Sequence, residues 1–293
     1  MCPVCGSAAT PREVLDPRRG PSPLFRCQGC GVVRWAAAWQ PPAMAHYHDY
    51  YGGRTPTYDP VTETRYHAIL DTLERWVRPG RVLDAGCGMG HFLMVAEDRG
   101  WEAVGLEVSA SGVETLNEMK RARGRRFEVH AEELLKTELP AESFRAVTLF
   151  EVIEHLADPV ENLRAVHRLL EPRGVLYLTT PNFDSLSRAA LRGEWRGITP
   201  DHLTLFTPGA LRRCLRLAGF EPLRVATKNV DVPEILAKWR RRRAQPVATF
   251  EATRSFRHAV ERRPTLQALK RVVNGALRAT GLGETIEAVA LKP

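Results

Sequence analysis

The chain has 293 residues, 44% apolar and 26% charged. These are the proportions of an ordinary globular protein of one large domain or two modest ones, not of a disordered or fibrous chain. No apolar run approaches the ~20 residues of a membrane helix. The N-terminus, Met1-Cys2-Pro3-Val4-Cys5, lacks the apolar core of a signal peptide, so a cytoplasmic location is expected. The 42 basic and 34 acidic side chains leave a net +8, and residues 229–283, with 12 basic and 4 acidic, carry that whole excess. Such a segment is either a solvated helical face or a contact for a polyanion or anionic surface.

In chain order, residues 1–35 read as short strands and turns around four cysteines. Residues 36–60 hold Pro41-Pro42, Gly52-Gly53 and His46-Tyr47-His48-Asp49-Tyr50-Tyr51, a linker entering an ordered segment. Residues 62–78 read as a helix, with Ile69, Leu70, Leu73, Trp76 and Val77 at 3–4 spacing. From Arg81 strands and helices alternate. Strands are predicted at Arg81–Ala85, Ala103–Val108, Phe127–His130, Ala146–Phe150 and Val175–Thr179. Helices are predicted at His91–Arg99, Ala110–Arg123, Pro159–Leu170 and Pro208–Ala218. This alternation implies an α/β fold on a mostly parallel, doubly wound sheet. Leu223–Ala226 and Ile286–Leu291 are the last two strands, and 229–283 between them is a basic helical insertion too long for a turn.

Cys2-x-x-Cys5 and Cys27-x-x-Cys30 each precede a glycine, Gly6 and Gly31. Two such knuckles place four thiolates around one tetrahedral Zn²⁺ and leave no open position, so the metal is expected to be structural. About 35 residues cannot bury a sufficient core alone, and metal binding supplies folding energy. Cys87 and Cys214 read as packing residues.

Val82-Leu83-Asp84-Ala85-Gly86-Cys87-Gly88-Met89-Gly90 leaves a strand and opens a helix. Its glycines let backbone approach a ligand. Glu107 ends the next strand, where a carboxylate can take both ribose hydroxyls of a nucleoside. Here the chain resembles the class I S-adenosylmethionine-dependent methyltransferases, over about Thr62 to Ala226 plus the closing strand. Val82–Gly90 looks like the family's first motif, Gly105-Leu106-Glu107-Val108 its second, and His130-Ala131-Glu132 its adenine-side segment. Phe150-Glu151-Val152-Ile153-Glu154-His155-Leu156, Thr180-Pro181-Asn182 and His202–Pro208 are similar to the ubiquinone-pathway O-methyltransferase branch. A zinc ribbon on that branch looks like sugar and natural-product methyltransferases.

The resemblance implies a Rossmann-like seven-stranded sheet and S-adenosyl-L-methionine as cofactor. Asp84, Gly86, Cys87, Gly88 and Gly90 would surround its methionine part, Glu107 and Val108 the ribose, Ala131 and Glu132 the adenine, and Phe150 would lie beside the donor. It divides the chain into a zinc ribbon (1–40), a linker with a Tyr-rich lid (41–61) and a methyltransferase domain (62–293).

Glu151, Glu154 and His155 would share one face if helical, and His202 lies in the insertion after the fifth strand. This set resembles the divalent-metal site of small-RNA 2′-O-methyltransferases. A second divalent ion there, a metal-free histidine base and a purely structural role all stay open. Trp195 and Arg196 are expected to line the acceptor pocket, and Arg240–Arg243 are either a contact for an acidic or carrier-linked acceptor or a solvated face. The expected activity is methyl transfer to a small-molecule acceptor, a hydroxyl of a sugar or natural-product scaffold. The alternative is an RNA methyltransferase that binds through ribbon and basic segment.

Overall fold

The computed structural model describes Cys2 and residues 4–8, 12–14, 24–35, 60–241 and 249–293. The Tyr-rich segment 46–58 and the side chains of Arg240–Arg243 lie outside the described residues.

Three short strands, β1 (Arg12–Glu13), β2 (Leu24–Arg26) and β3 (Val33–Trp35), form the N-terminal ribbon. Helix α1 (Pro60–Leu73) leads to β4 (Arg81–Ala85), α2 (His91–Asp98), β5 (Glu102–Leu106), α3 (Ala110–Ala122) and β6 (Glu128–His130). Next come β7 (Phe144–Phe150), a single 3₁₀ turn at Ile153–His155, α4 (Pro159–Leu169) and the long β8 (Leu170–Pro181). Helix α5 (Leu186–Leu191) and β9 (Thr204–Leu205) belong to the insertion after β8. The chain ends with α6 (Pro208–Leu217), β10 (Glu221–Lys228), helices α7 (Val232–Arg241), α8 (Thr249–Arg262) and α9 (Pro264–Thr280), and β11 (Thr285–Leu291).

The main sheet runs β10-β11-β8-β7-β4-β5-β6. Its central strands are parallel, and β11 is antiparallel to β8 and β10. This is the seven-stranded, mostly parallel sheet expected from the strand–helix alternation, with the helical insertion before the last strand. Strands β4, β7 and β8 are buried on both faces, as near-continuous apolar runs such as Val82-Leu83 and Val175-Leu176-Tyr177-Leu178 require. Helices α3, α4 and α6 begin at Ser109, Asp158 and Thr207, whose side chains accept backbone N–H bonds of the first turn.

The ribbon's small sheet runs β1-β2-β3-β9. Its fourth strand comes from the insertion after β8, through Val33↔Leu205 and Arg34↔Thr204. The expected boundary at residue 40 is therefore bridged by backbone pairing. Arg26 forms a two-pronged ion pair with Asp184 at 2.6 and 3.3 Å, and Arg34 Nη2 donates to the Ala157 carbonyl at 3.1 Å. Cys27, Cys30 and Val32 pack into the same core as Leu211, Cys214 and Leu215 of α6.

Asn182, fully buried, joins the end of β8 to the end of the helical insertion. Its Nδ2 donates to the carbonyls of Gly281 (2.9 Å) and Gly283 (2.7 Å), and its Oδ1 accepts the Asp184 N–H at 3.1 Å. Asn182→Ala would strand these buried groups. We expect a loss of about 2–3 kcal/mol, read as a lower midpoint of urea unfolding. An unchanged midpoint would show that the junction is held elsewhere.

Candidate functional site

The glycine loop lies at the carboxyl ends of β4 and β5, where ligands of doubly wound sheets bind. The N–H groups of Gly86 and Cys87 both donate to the Leu106 carbonyl, at 2.8 and 2.9 Å, so the loop is folded back onto β5. Gly86 has φ +79°, and a Cβ there would lie 2.6 Å from Val152 Cγ2. Only glycine allows both that backbone conformation and that approach.

Glu107 is buried, and each of its carboxylate oxygens already accepts a backbone N–H: Oε2 from Gly88 at 2.9 Å and Oε1 from Ser109 at 3.0 Å. Each oxygen retains a further lone-pair direction, so the carboxylate can shape the loop and still receive ribose hydroxyls. Val108 follows it, half-buried. Glu107 N–H donates to the His130 carbonyl at 3.1 Å, which brings the turn holding Ala131 and Glu132 beside it. The buried Asp84 carboxyl accepts from Thr148 Oγ1 at 2.7 Å. Burial pushes its pKa up to about 7, against the Thr148 hydrogen bond, and the charge of Glu107 adds to the rise. The residues therefore fit a nucleoside with a cationic tail: a glycine cradle, a carboxylate with lone pairs to spare and a buried acid whose charge is costly until a cation arrives.

Phe150 ends β7 in an aromatic group with Tyr66 of α1 and Phe92 of α2, centroids 5.5 and 5.1 Å away. Tyr66, which the sequence did not single out, packs its ring against Phe150. Its spacing to Ile69, Leu70 and Leu73 reads as core, and indeed burial, followed by the charge of Asp84, pushes its hydroxyl up to about 12. Thr148 and Val152 were missed for the same reason. Cys87 is buried against Gly105, where a Cβ would lie 2.6 Å from its sulfur.

Beyond Phe150 the expectation of a shared helical face does not hold. Glu151 sits exposed in the left-handed region (φ +55°), and only the single 3₁₀ turn at Ile153–His155 follows before α4 opens at Pro159. Without α-helical geometry, i, i+3 and i+4 do not align. The chain instead gathers Glu154, His155 and His202, whose ligand-type atoms lie within 4.8 Å of one another. The imidazoles of His155 and His202 meet edge to face at 4.7 Å. His155 Nδ1 lies 2.9 Å from the Asp201 carbonyl and His202 Nδ1 3.0 Å from the Gly197 carbonyl. A carbonyl only accepts, so each Nδ1 donates, and Nε2 carries the lone pair whenever the ring is neutral. Burial, then the neighbouring His155, pushes His202 down to about 4, so it is neutral at pH 7. Glu154 is fully buried. Its Oε2 accepts from Thr180 Oγ1 at 2.9 Å, while Oε1 has no partner. Burial and the charge of Glu151 raise its pKa well above the carboxylate range. An orphaned buried carboxylate oxygen grouped within 4.8 Å with ligand-type atoms of two imidazoles fits a divalent cation.

The ribbon reaches this cluster. Trp35 Nε1 donates to the His202 carbonyl at 2.9 Å, one residue from the β3–β9 pairing. Trp195 and Arg196, expected at the acceptor pocket, are both engaged with residues far along the chain. Trp195 is buried with Phe183, Leu191 and Leu205 and donates Nε1 to Glu284 Oε1 at 2.6 Å, and Arg196 is spent on ion pairs with Asp231 and Glu234 of the α7 start.

At the ribbon itself, Cys2–Cys30 and Cys5–Cys27 sulfurs lie 3.7 Å apart. A tetrahedron of four sulfurs ~2.3 Å from zinc has edges of about 3.8 Å. Gly6 and Gly31 adopt φ +67° and +80° and donate to the Cys2 and Cys27 carbonyls, closing matching turns. Against the upward push of burial, the N–H groups of Cys30 and Gly29 hold the Cys27 thiol down to about 7. The four cysteines fit the ion expected from their spacing.

The profile of a family described as "Methyltransferase domain" matches residues 61–225, more than half the chain. This chain belongs to the class I S-adenosylmethionine-dependent methyltransferases. A Mycolicibacterium smegmatis protein named "Probable S-adenosylmethionine-dependent methyltransferase" is 32% identical over 157 residues, covering 54% of this chain and 58% of that protein. A ubiquinone biosynthesis O-methyltransferase of Ruegeria pomeroyi is 34% identical over 154 residues, covering 49% of this chain and 60% of that enzyme. The match thus spans less than two thirds of these relatives' own length. In fold, the chain is similar to a Haemonchus contortus phosphoethanolamine N-methyltransferase 2 solved with S-adenosyl-L-methionine. The TM-score is 0.55 at 19% identity, covering 85% of this chain and 56% of that one.

The Asp84 carboxyl gives a measurable signature. Its folded pKa lies above the unfolded value of ~3.9, so between about pH 4 and 7 the folded state holds a proton that the unfolded state has lost. Its contribution to the stability of the ligand-free protein therefore falls as pH rises through that window. Unfolding curves of wild type and Asp84→Asn should diverge with rising pH, the variant becoming relatively more stable. Parallel curves would show that Asp84 titrates normally.

Proposed function

We propose that this chain transfers a methyl group from S-adenosylmethionine to a hydroxyl of a small-molecule acceptor, a sugar or natural-product scaffold. The observation that carries this reading is the Glu154–His155–His202 cluster beside the glycine loop, whose Gly86 abuts Val152. The names of relatives such as the Ruegeria pomeroyi O-methyltransferase support an oxygen acceptor.

In this reading Asp84 and the loop Gly86, Cys87, Gly88 and Gly90 receive the methionine part. Glu107 and Val108 hold the ribose, Ala131 and Glu132 frame the adenine, and Phe150 packs beside the donor. Glu154, His155 and His202 hold a divalent cation, which would lower the pKa of an acceptor hydroxyl. Glu151, exposed, acts on this shell through its charge on Glu154. The attacking oxygen must lie in line with the methyl carbon and sulfur, and its proton must leave; with its lone pair spent on the cation His155 would not take it, so the acidified hydroxyl would give its proton to solvent. Cys2, Cys5, Cys27 and Cys30 hold a structural Zn²⁺. The ribbon acts through Trp35 and β9, fixing the loop that carries His202.

The test is metal analysis, donor calorimetry and turnover on a panel of hydroxylated acceptors. His155→Ala should lower turnover about a hundredfold or more, release one exchangeable metal ion and leave donor affinity unchanged. Turnover insensitive to chelation but lost in His155→Ala would assign His155 as a metal-free base. No donor binding by the wild-type protein would overturn the reading altogether.

The ribbon's part is tested by Trp35→Phe, which removes the Nε1–H bond to the His202 carbonyl and keeps an aromatic ring in place. We expect kcat to fall with donor affinity and cysteine-bound metal unchanged. An unaltered kcat would mean that β9 alone positions His202.

A further inference from the structure

Strand β3 turns its two faces to different parts of the molecule. Val33 and Trp35 look one way, with Leu24 and Leu205, into the cluster around Phe183 and Trp195. Val32 lies in the core that holds Cys27 and Cys30, and by strand alternation Arg34 points to that same side. Its cross-strand partner Thr204 stands on that side too, followed at i+2 by Phe206, which belongs to the same core. Arg34 is thereby joined to both histidine segments. Its backbone pairs with Thr204, two residues after His202. Its Nη2 donates to the carbonyl of Ala157, two residues after His155. Ala157 directly follows Leu156, which ends the turn carrying Glu154 and His155. One residue thus spans the two segments that bring the imidazoles to 4.7 Å. Its remaining terminal nitrogen, Nη1, is buried with no hydrogen-bond partner.

The guanidinium also answers the cysteines. Burial lowers its pKa, and the charges of Cys2, Asp158 and Cys30 oppose that fall. Of the other described basic side chains in residues 1–35, Arg12 is exposed, and Arg26 lies on the opposite face of the ribbon, paired with Asp184 and set over the Phe183 ring. Four thiolates around one Zn²⁺ keep an excess of negative charge. A half-buried cation on their side of the sheet is held by that charge and stabilises it in return.

We propose that Arg34 is a positioning residue that couples the metal-loaded cysteine cluster to the His155–His202 pair. The thiolates hold the guanidinium, and the guanidinium holds the turn that carries His155 against the loop that carries His202. An amide side chain could also donate to the Ala157 carbonyl; only a cation serves the thiolates as well. Loss of the ribbon's metal frees the guanidinium and with it the spacing of the two imidazoles, so the metal acts on the reactive cluster from outside it. This coupling presupposes His155 and His202 as the reactive pair proposed above, but its metal and spectroscopic readouts need no turnover.

Three variants of the full chain test it. Arg34→Gln removes the charge and keeps a polar end, Arg34→Lys keeps the charge, and Arg26→Gln removes the ion pair with Asp184 on the opposite face. Zinc affinity, read by competition with a colorimetric chelator, should fall roughly tenfold in Arg34→Gln and stay near wild type in Arg34→Lys and Arg26→Gln. With zinc saturating, the ring signals of His155 and His202 in isotope-labelled protein should shift in Arg34→Gln and hold in Arg26→Gln. The kcat of Arg34→Gln should fall about tenfold or more with donor affinity unchanged. Unaltered zinc affinity or unaltered ring signals in Arg34→Gln would overturn the proposal. So would failure of Arg34→Lys to restore zinc affinity, or equal losses in Arg26→Gln, which would reduce Arg34 to general docking of the ribbon. A wild-type protein that shows these zinc and ring-signal responses but binds no donor would sink the methyl-transfer reading and leave the coupling standing.

Discussion

The site depends on a ladder two residues long. Val33↔Leu205 and Arg34↔Thr204 are too few pairs to persist alone. They hold because both sides are anchored. The ribbon strand is tied to the cysteine cluster and the α6 core, and β9 to the end of β8 through the Phe183 N–H to the Phe206 carbonyl at 2.8 Å. Trp35 then grips the carbonyl of His202 itself. One side of the Glu154–His155–His202 cluster therefore hangs from the N-terminal ribbon, although its other members, Glu154 and His155, come from the turn that follows β7.

The donor side is built on a different economy of groups. Glu107 uses its carboxylate to hold Gly88 and Ser109 in place, so the loop is shaped before any ligand enters. Asp84 is kept dry, paired only through Thr148, where its charge is stabilised weakly until a cation is near. Preorganisation on one carboxylate and latent charge on the other suit a ligand that is both a nucleoside and a cation.

Much of this is legible in the sequence where the signal is local. The strand–Gly-x-Gly-x-Gly–helix run, the acid after β5 and the paired cysteines are short-range patterns, and the structure builds each as its spacing implies. The strand–helix alternation likewise suffices for the parallel sheet. What sequence does not show is pairing at a distance. Thr204-Leu205 is too short to read as a strand, and it forms one only because β3 arrives from 170 positions upstream. Tyr66 and Thr148 read as core because core and site lining share apolar spacing. Glu151 reads as a helical neighbour of Glu154, but its left-handed backbone turns the chain before any helix starts. Trp195 and Arg196 look like pocket residues because their loop does, yet Glu284, Asp231 and Glu234, far along the chain, claim them.

The two ends of the helical insertion meet. Lys228 pairs with Thr285, and Glu284 N–H donates to the Asn229 carbonyl at 2.8 Å. Strands β10 and β11 thus form a hairpin whose tip has swollen from a reverse turn into three helices. Exit and return at a single point make the appendage an outgrowth of one hairpin, yet Asn182 and Thr227 stitch it to the sheet, and Arg196 and Lys238 stitch it to the loop after β8, so its removal would be felt at both.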